Sequence, residues 1–255
     1  MQQVVLAIGG SDPSGGAGIQ GDLKTLHQHG VYGAAAITLL TVQSTRGVTR
    51  VEVLDATLVG EQVDAVLGDL PVRVIKTGAL GSEENVRTVA LRIGSRVLVC
   101  DPVMLATSGA ALTTATSALH DLVARATLVT PNAMEATALT GISVIDAASA
   151  SEAAMKLVQL GAQAALVKGG HLEGATATDV LCIAGACFTL VEPRVQTRAG
   201  HGTGCALASS IAARLAQGAT MLDAVEGAKR WVHRALANAP NLGEGRGPLE
   251  LSTPI

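Results

Sequence analysis

The sequence predicts an α/β protein: a central, mostly parallel sheet between helical layers, a three-layer α/β/α arrangement with an antiparallel edge hairpin near residues 179–191. Short apolar runs recur along the chain and are continuous rather than alternating, as in parallel strands covered on both faces. Segments of helical period separate them, which implies right-handed crossovers. Composition agrees: 48% of the 255 residues are hydrophobic, yet Tyr32, Phe188 and Trp231 are the only aromatics. The core must then be built from Ala, Val, Leu and Ile, whereas a sandwich or barrel spends more aromatics on its strands.

The apolar runs predict strands at Val4–Ile8, Ala35–Val42, Val72–Ile75, Val97–Val99, Leu128–Val129 and Ala164–Val167. Helical spacing follows at Ile19–His29, at Leu58–Leu70 with a stripe of Leu58, Val59, Val63, Val66, Leu67 and Leu70, and at Ser82–Ile93. Further helices are expected after Pro131 and at Ser149–Leu160, Thr203–Ala216 and Leu222–Leu236. Asp179–Ile183, the Ala184-Gly185 turn and Ala186–Val191 read as the hairpin. No charge block, Pro/Ser-rich linker or internal repeat interrupts the chain, so residues 1–255 are expected to form a single domain.

Composition also excludes. A net charge of −3 and so few aromatics leave nothing for bases to stack on, so no nucleic acid is expected. No apolar run reaches the roughly 18 residues of a membrane span, and the start, MQQVVLAIGG, lacks a basic leader with a cleavage site. Cys100, Cys182, Cys187 and Cys205 follow no framework of spacings, the usage of a reducing compartment; a soluble cytoplasmic protein is expected. Cys182 and Cys187 lack a second ligand pair for zinc. His27 and His29 are expected at a solvated helix end. Gly16–Gly21 spells a dinucleotide fingerprint but does not follow the first strand directly, and no acid lies some 20 residues on. A Walker lysine motif and a Gly-x-Ser-x-Gly elbow are both missing.

In such sheets ligands bind beyond the carboxyl ends of the strands. Gly9–Gly18 after the first strand suits either a plain loop or a backbone that approaches a ligand closely. Arg198-Ala199-Gly200-His201-Gly202-Thr203-Gly204-Cys205 runs into a helix, so Gly202, Thr203 and Gly204 can converge their N–H groups on an anion. Cys205 falls in the first turn, where the helix dipole is expected to lower its thiol pKa. Asn132 and Glu135 read as an N-cap and its capping-box partner, or as oxygen ligands for hydrated Mg²⁺ near phosphates. Lys168, after a strand, can reach phosphates as a point charge.

As an ensemble, GSDPSGGAGIQGDLKT, GVYGAAAIT, VQST, KTGALGS, DPVMLATSG, TPNAMEA, VKGGHL, HGTGC and GEGRGPL resemble the hydroxymethylpyrimidine kinase/phosphomethylpyrimidine kinase family of thiamine biosynthesis, within the ribokinase-like fold. The resemblance runs from about Val5 to Pro248. It implies phosphoryl transfer from MgATP to 4-amino-5-hydroxymethyl-2-methylpyrimidine and then to the monophosphate, by a homodimer. By position it implies an anion hole at Gly202, Thr203 and Gly204 and a catalytic Cys205. Asn132 and Glu135 become metal-associated, and Lys168 and Lys229 lie on the nucleotide side. Gln43, Ala17, Val103, Ala79 and Asp22 fall to the substrate. A primary amide at Gln43 offers a donor beside an acceptor, as an aminopyrimidine edge does.

Two positions depart from the family. Ala79 stands where many members carry Met, a roomier wall that keeps a pyridoxal kinase open as the alternative. Ala199-Gly200 replaces a common Asn-Thr and removes a hydroxyl near the nucleotide phosphates. A non-catalytic pyrimidine- or nucleotide-sensing module would require a broken site, and the motifs are intact.

Overall fold

The computed structural model describes residues 2–105, 109, 111–113, 116–170 and 174–255; Ala106, Thr107 and Ser108 of the DPVMLATSG motif, and His171 and Leu172, lie outside them. Among the described residues one nine-stranded sheet runs in the order β3-β2-β1-β4-β5-β6-β7-β8-β9. β1 (Val4–Ser11), β2 (Tyr32–Ser44), β4 (Val74–Thr77), β5 (Val97–Cys100), β6 (Leu128–Val129) and β7 (Ala164–Val167) are parallel. β3 (Gly47–Val53), β8 (Thr176–Ile183) and β9 (Ala186–Pro193) pair antiparallel. β1 lies between β2 and β4, so the loops after β1 and β4 diverge at a topological switch point.

Side chains alternate across each strand and feed a core on either face. Leu6, Ile8, Ile75, Leu98 and Val129 pack under α2 (Ala56–Asp69), α3 (Glu83–Ala90), α4 (Thr116–Val123), α5 (Ala133–Thr140) and α6 (Ala147–Gln159). Val5, Val74, Val99, Leu128 and Leu166 pack under α1 (Gly18–Gln28), α7 (Thr203–Ala216) and α8 (Met221–Ala237). The predicted three layers are present. Among the described residues, no helix is long and apolar enough to cross a membrane.

Several expectations are corrected. Leu58 lies outside the buried stripe, at 47% exposure, because the apolar arc of α2 centres on Val59 and Val63. β2 is not covered on both faces: past Ser11's partner, Leu40, it pairs with β3 alone, and Leu40, Val42 and Val53 are exposed on that arm. β3 has no continuous apolar run and was not predicted. His29 is buried rather than solvated; its Nδ1 lies 3.0 Å from Thr25 O and its Nε2 2.8 Å from Ser210 Oγ, with Trp231 edge-on against the ring. Burial pushes its pKa down to about 4, so it packs as a neutral ring.

The hairpin turns at Ala184 (φ 51°) and Gly185 (φ 81°), the two left-handed residues of a tight hairpin turn. Its register puts Cys182 opposite Cys187, and the two form a disulfide; Cys100 and Cys205 remain free. The expectation of unpaired thiols fails here because register, not sequence spacing, decides which side chains face one another.

Candidate active site

The carboxyl ends of the parallel strands are level. Gly78 N donates to Ile8 O, Asp101 N to Thr77 O, Thr130 N to Cys100 O and Lys168 N to Pro131 O, at 2.8–3.0 Å. Above this rim lies a cavity of 690 Å³. Ala17, Asp22, Gln43, Ala79, Val103, Asn132, Glu135, Lys168, Gly202, Thr203, Gly204, Cys205 and Lys229 all line it. Residues chosen from distant segments are therefore neighbours in space.

At the centre, α7 begins without a side-chain cap, its N-cap being Gly202 at φ 83°. A β-carbon on Gly202 would lie 1.9 Å from Gly16 O, so only glycine lets the two Gly-rich loops touch. Thr203 spends its hydroxyl on Gly200 O at 3.0 Å. The opening N–H groups of α7 are thus left for an anion, the arrangement that favours phosphate. A β-carbon on Gly204 would meet the Lys168 ammonium at 3.1 Å, which places that charge directly above the helix start.

Lys168 is itself held by Asp101 at 2.7 Å, and Thr130 Oγ donates to the same carboxylate oxygen at 3.1 Å. Burial works against the Lys168 charge, but Asp101 and Glu135 raise its pKa above the ordinary lysine value. Burial pushes the Glu135 carboxyl up to about 7; Lys168 opposes the rise and Asp101 adds to it. Asn132 and Glu135 do form the capping box of α5: Glu135 N donates to Asn132 Oδ1 at 2.9 Å and Asn132 N to Glu135 Oε2 at 2.8 Å.

Beneath Cys205, Lys76 is fully buried and donates to both oxygens of Asp22, at 2.9 and 2.8 Å; Ser209 Oγ donates to Asp22 as well at 2.7 Å. Asp22 accepts three hydrogen bonds here and lines the floor of the cavity. The expected lowering of the Cys205 pKa is overturned. Burial pushes the thiol up to about 11; Lys76 opposes, while Asp22 and Asp101 add to the rise.

At one end of the cavity Lys229 donates to Asp179 Oδ2 at 2.7 Å, while Asp179 Oδ1 accepts from Gly169 N at 2.8 Å. Val195, Val232 and Leu236 supply an apolar wall there. At the other end Gln43 stands with Ala17, Ala79, Val103 and Leu112, the aliphatic grip expected of a chain poor in aromatics. Sequence reasoning missed Asp12, Lys76, Asp101 and His201 at this site. Asp101 and Asp12 directly follow β5 and β1, and Lys76 directly follows the strand predicted at Val72–Ile75, so the rule of strand ends could have found all three.

Among the described residues no cluster of three or more His, Cys, Asp or Glu is arranged to hold a metal. The donors at hand, Glu135 and Asp101, are hard carboxylate oxygens; burial raises the Glu135 pKa first and the Asp101 charge adds to it, and a divalent cation between them offsets both.

A sequence model described as phosphomethylpyrimidine kinase matches residues 12–250. A hydroxymethylpyrimidine/phosphomethylpyrimidine kinase of Rhizobium meliloti is 45% identical over 98% of this chain and 97% of its own. Among solved structures, the ADP complex of Bacillus subtilis pyridoxal kinase superposes with a TM-score of 0.91 at 31% identity, over 99% of this chain and 98% of that one. A phosphomethylpyrimidine kinase of Clostridium difficile is 35% identical with a TM-score of 0.80, over 92% of this chain and 99% of that one.

Proposed function

The chain belongs to the phosphomethylpyrimidine kinase family, and from that premise we propose that it phosphorylates 4-amino-5-hydroxymethyl-2-methylpyrimidine with ATP and then phosphorylates the monophosphate to the diphosphate. The observation that carries this reading is the uncapped start of α7 beneath the Lys168 ammonium, with Gln43 lining the same cavity. Phosphoryl transfer asks mainly for positioning and for stabilisation of charge on the group in flight, and those backbone N–H groups with Lys168 supply both.

Gln43 reads the aminopyrimidine edge, with Ala17, Ala79 and Val103 gripping the ring. The nucleotide lies toward Lys229 and the Val232–Leu236 wall. In the first transfer the hydroxymethyl oxygen attacks the γ-phosphorus, the bond from that phosphorus to the β,γ-bridging oxygen breaks with ADP as the leaving group, and the Cys205 thiolate takes the hydroxyl proton. In the second transfer the attacking oxygen already belongs to an anionic phosphate and needs no base. Asn132, Glu135 and Asp101 fit Mg²⁺ accompanying ATP, which would neutralise charge on the phosphates.

A cytoplasmic location suits the nucleotide donor. A homodimer fits the β2–β3 arm, whose Leu40, Val42 and Val53 lie exposed on one projecting element.

The deciding experiment incubates the protein with MgATP and the hydroxymethylpyrimidine, with pyridoxal in parallel, and identifies products by mass spectrometry. Pyrimidine mono- and diphosphate are expected. Pyridoxal phosphate with the pyrimidine untouched would overturn the reading and turn attention to the pocket at Ala79.

A further inference from the structure

Asp12 and His201 are 189 residues apart in sequence and meet beside Gln43, both buried at 3% and 6% exposure. His201 Nε2 lies 2.7 Å from Asp12 Oδ2. Ala17 N donates to that same oxygen at 2.9 Å, and Ser14 Oγ donates to Asp12 Oδ1 at 2.7 Å. Burial alone would raise the Asp12 pKa, but the bonds from His201 and Ser14 hold it below the ordinary value. Asp12 is therefore a carboxylate that only accepts, and His201 Nε2 must carry a proton.

The Gln43 amide nitrogen stands 3.2 Å from that Nε2 and its oxygen 3.1 Å from Thr41 Oγ, two ends that exchange places when the amide turns over. Thr41 Oγ already donates to Ser11 O at 2.9 Å and has lone pairs left over. An NH₂ turned to His201 would set donor against donor. With the oxygen toward His201, the single Nε2–H is shared between Asp12 Oδ2 at 2.7 Å and the Gln43 oxygen at 3.2 Å, and the nitrogen donates to Thr41 Oγ.

We infer that Asp12 and His201 are positioning residues that fix the polarity of the Gln43 amide and, through it, the order of donor and acceptor offered to the acceptor ring. The inference rests on Gln43 being the side chain that reads the pyrimidine. An amide free to turn would present either order and lose selectivity for a ring with an amino donor beside a nitrogen acceptor. The pair also ties the loop after β1 to the loop before α7: a β-carbon on Gly16 would lie 2.7 Å from the His201 ring.

The test is a double-mutant cycle read as KM and kcat for the hydroxymethylpyrimidine and KM for ATP. His201→Leu is expected to raise the pyrimidine KM about tenfold, the scale of one hydrogen bond, with kcat and the ATP KM nearly unchanged. His201→Gln, whose amide can still donate to Asp12, is expected to restore most of the loss. In a Gln43→Ala background His201→Leu should have no further effect on KM. Additive effects, or failure of His201→Gln to rescue, would show that His201 is merely structural. A Gln43→Ala variant with unchanged KM would instead overturn the role given to Gln43. Should His201→Leu not fold, Asp12→Asn carries the same cycle, and its KM effect must likewise vanish without Gln43.

Discussion

Gly204 and Lys168 approach so closely that a β-carbon on the glycine would sit 3.1 Å from the lysine Nζ, which joins the start of α7 to the end of β7 in a single anion site. Two neighbouring glycines therefore play different parts. Gly204→Ala is expected to displace a side-chain end and lower kcat about 10–100-fold with little change in stability, whereas Gly202→Ala meets backbone at 1.9 Å with φ at 83° and should destabilise by several kcal/mol. Steady-state kinetics beside thermal melts of both variants check this; a Gly204→Ala enzyme with full turnover would contradict it.

Cys205 is a strong base present in small amount. With its pKa at about 11, the thiolate fraction grows about tenfold per pH unit below that value. The rate of the first phosphorylation should rise with a slope near +1 from pH 7 upward, and the second, onto a phosphate already ionised, should stay flat. Cys205→Ala should slow the first step far more than the second. Equal losses in both would make the residue part of the shared anion hole only.

Glu135 couples the site to pH. Its folded pKa of about 7 lies above the usual carboxylate value, so the folded protein holds this proton more tightly than the unfolded chain. The resulting stability is fully present below about pH 4 and is lost as pH rises through 7. Glu135→Gln should accordingly match the parent at pH 4 and exceed it by about 3 kcal/mol at pH 8, in melts without nucleotide. The same variant should lose turnover, because the amide is a poorer ligand for a cation.

The hairpin turn offers a gain without cost to the site. Ala184 sits at φ 51°, a conformation that disfavours a β-carbon by about 1–2 kcal/mol, while asparagine is preferred there before glycine. Ala184→Asn should stabilise by about 0.5–1 kcal/mol and raise the melting temperature by about 1–4 °C, with kinetics unchanged.

The sequence by itself determined the layers, the parallel strands and the edge hairpin, because continuous apolar runs and helical stripes are local patterns. It also yielded the family, and with it the residues from Ala17 to Lys229 that line the cavity. What it left open concerns partners. The exposed side of β2 and the existence of β3 depend on a strand leaving the sheet. The Cys182–Cys187 bond depends on register, and the burial of His29 depends on Ser210 and Trp231. The rise of the Cys205 thiol depends on burial and on Asp22 and Asp101, brought near from other strands and helices. Only the tertiary structure decided these, because hydrogen bonds, desolvation and charge act across space between residues that lie far apart along the chain.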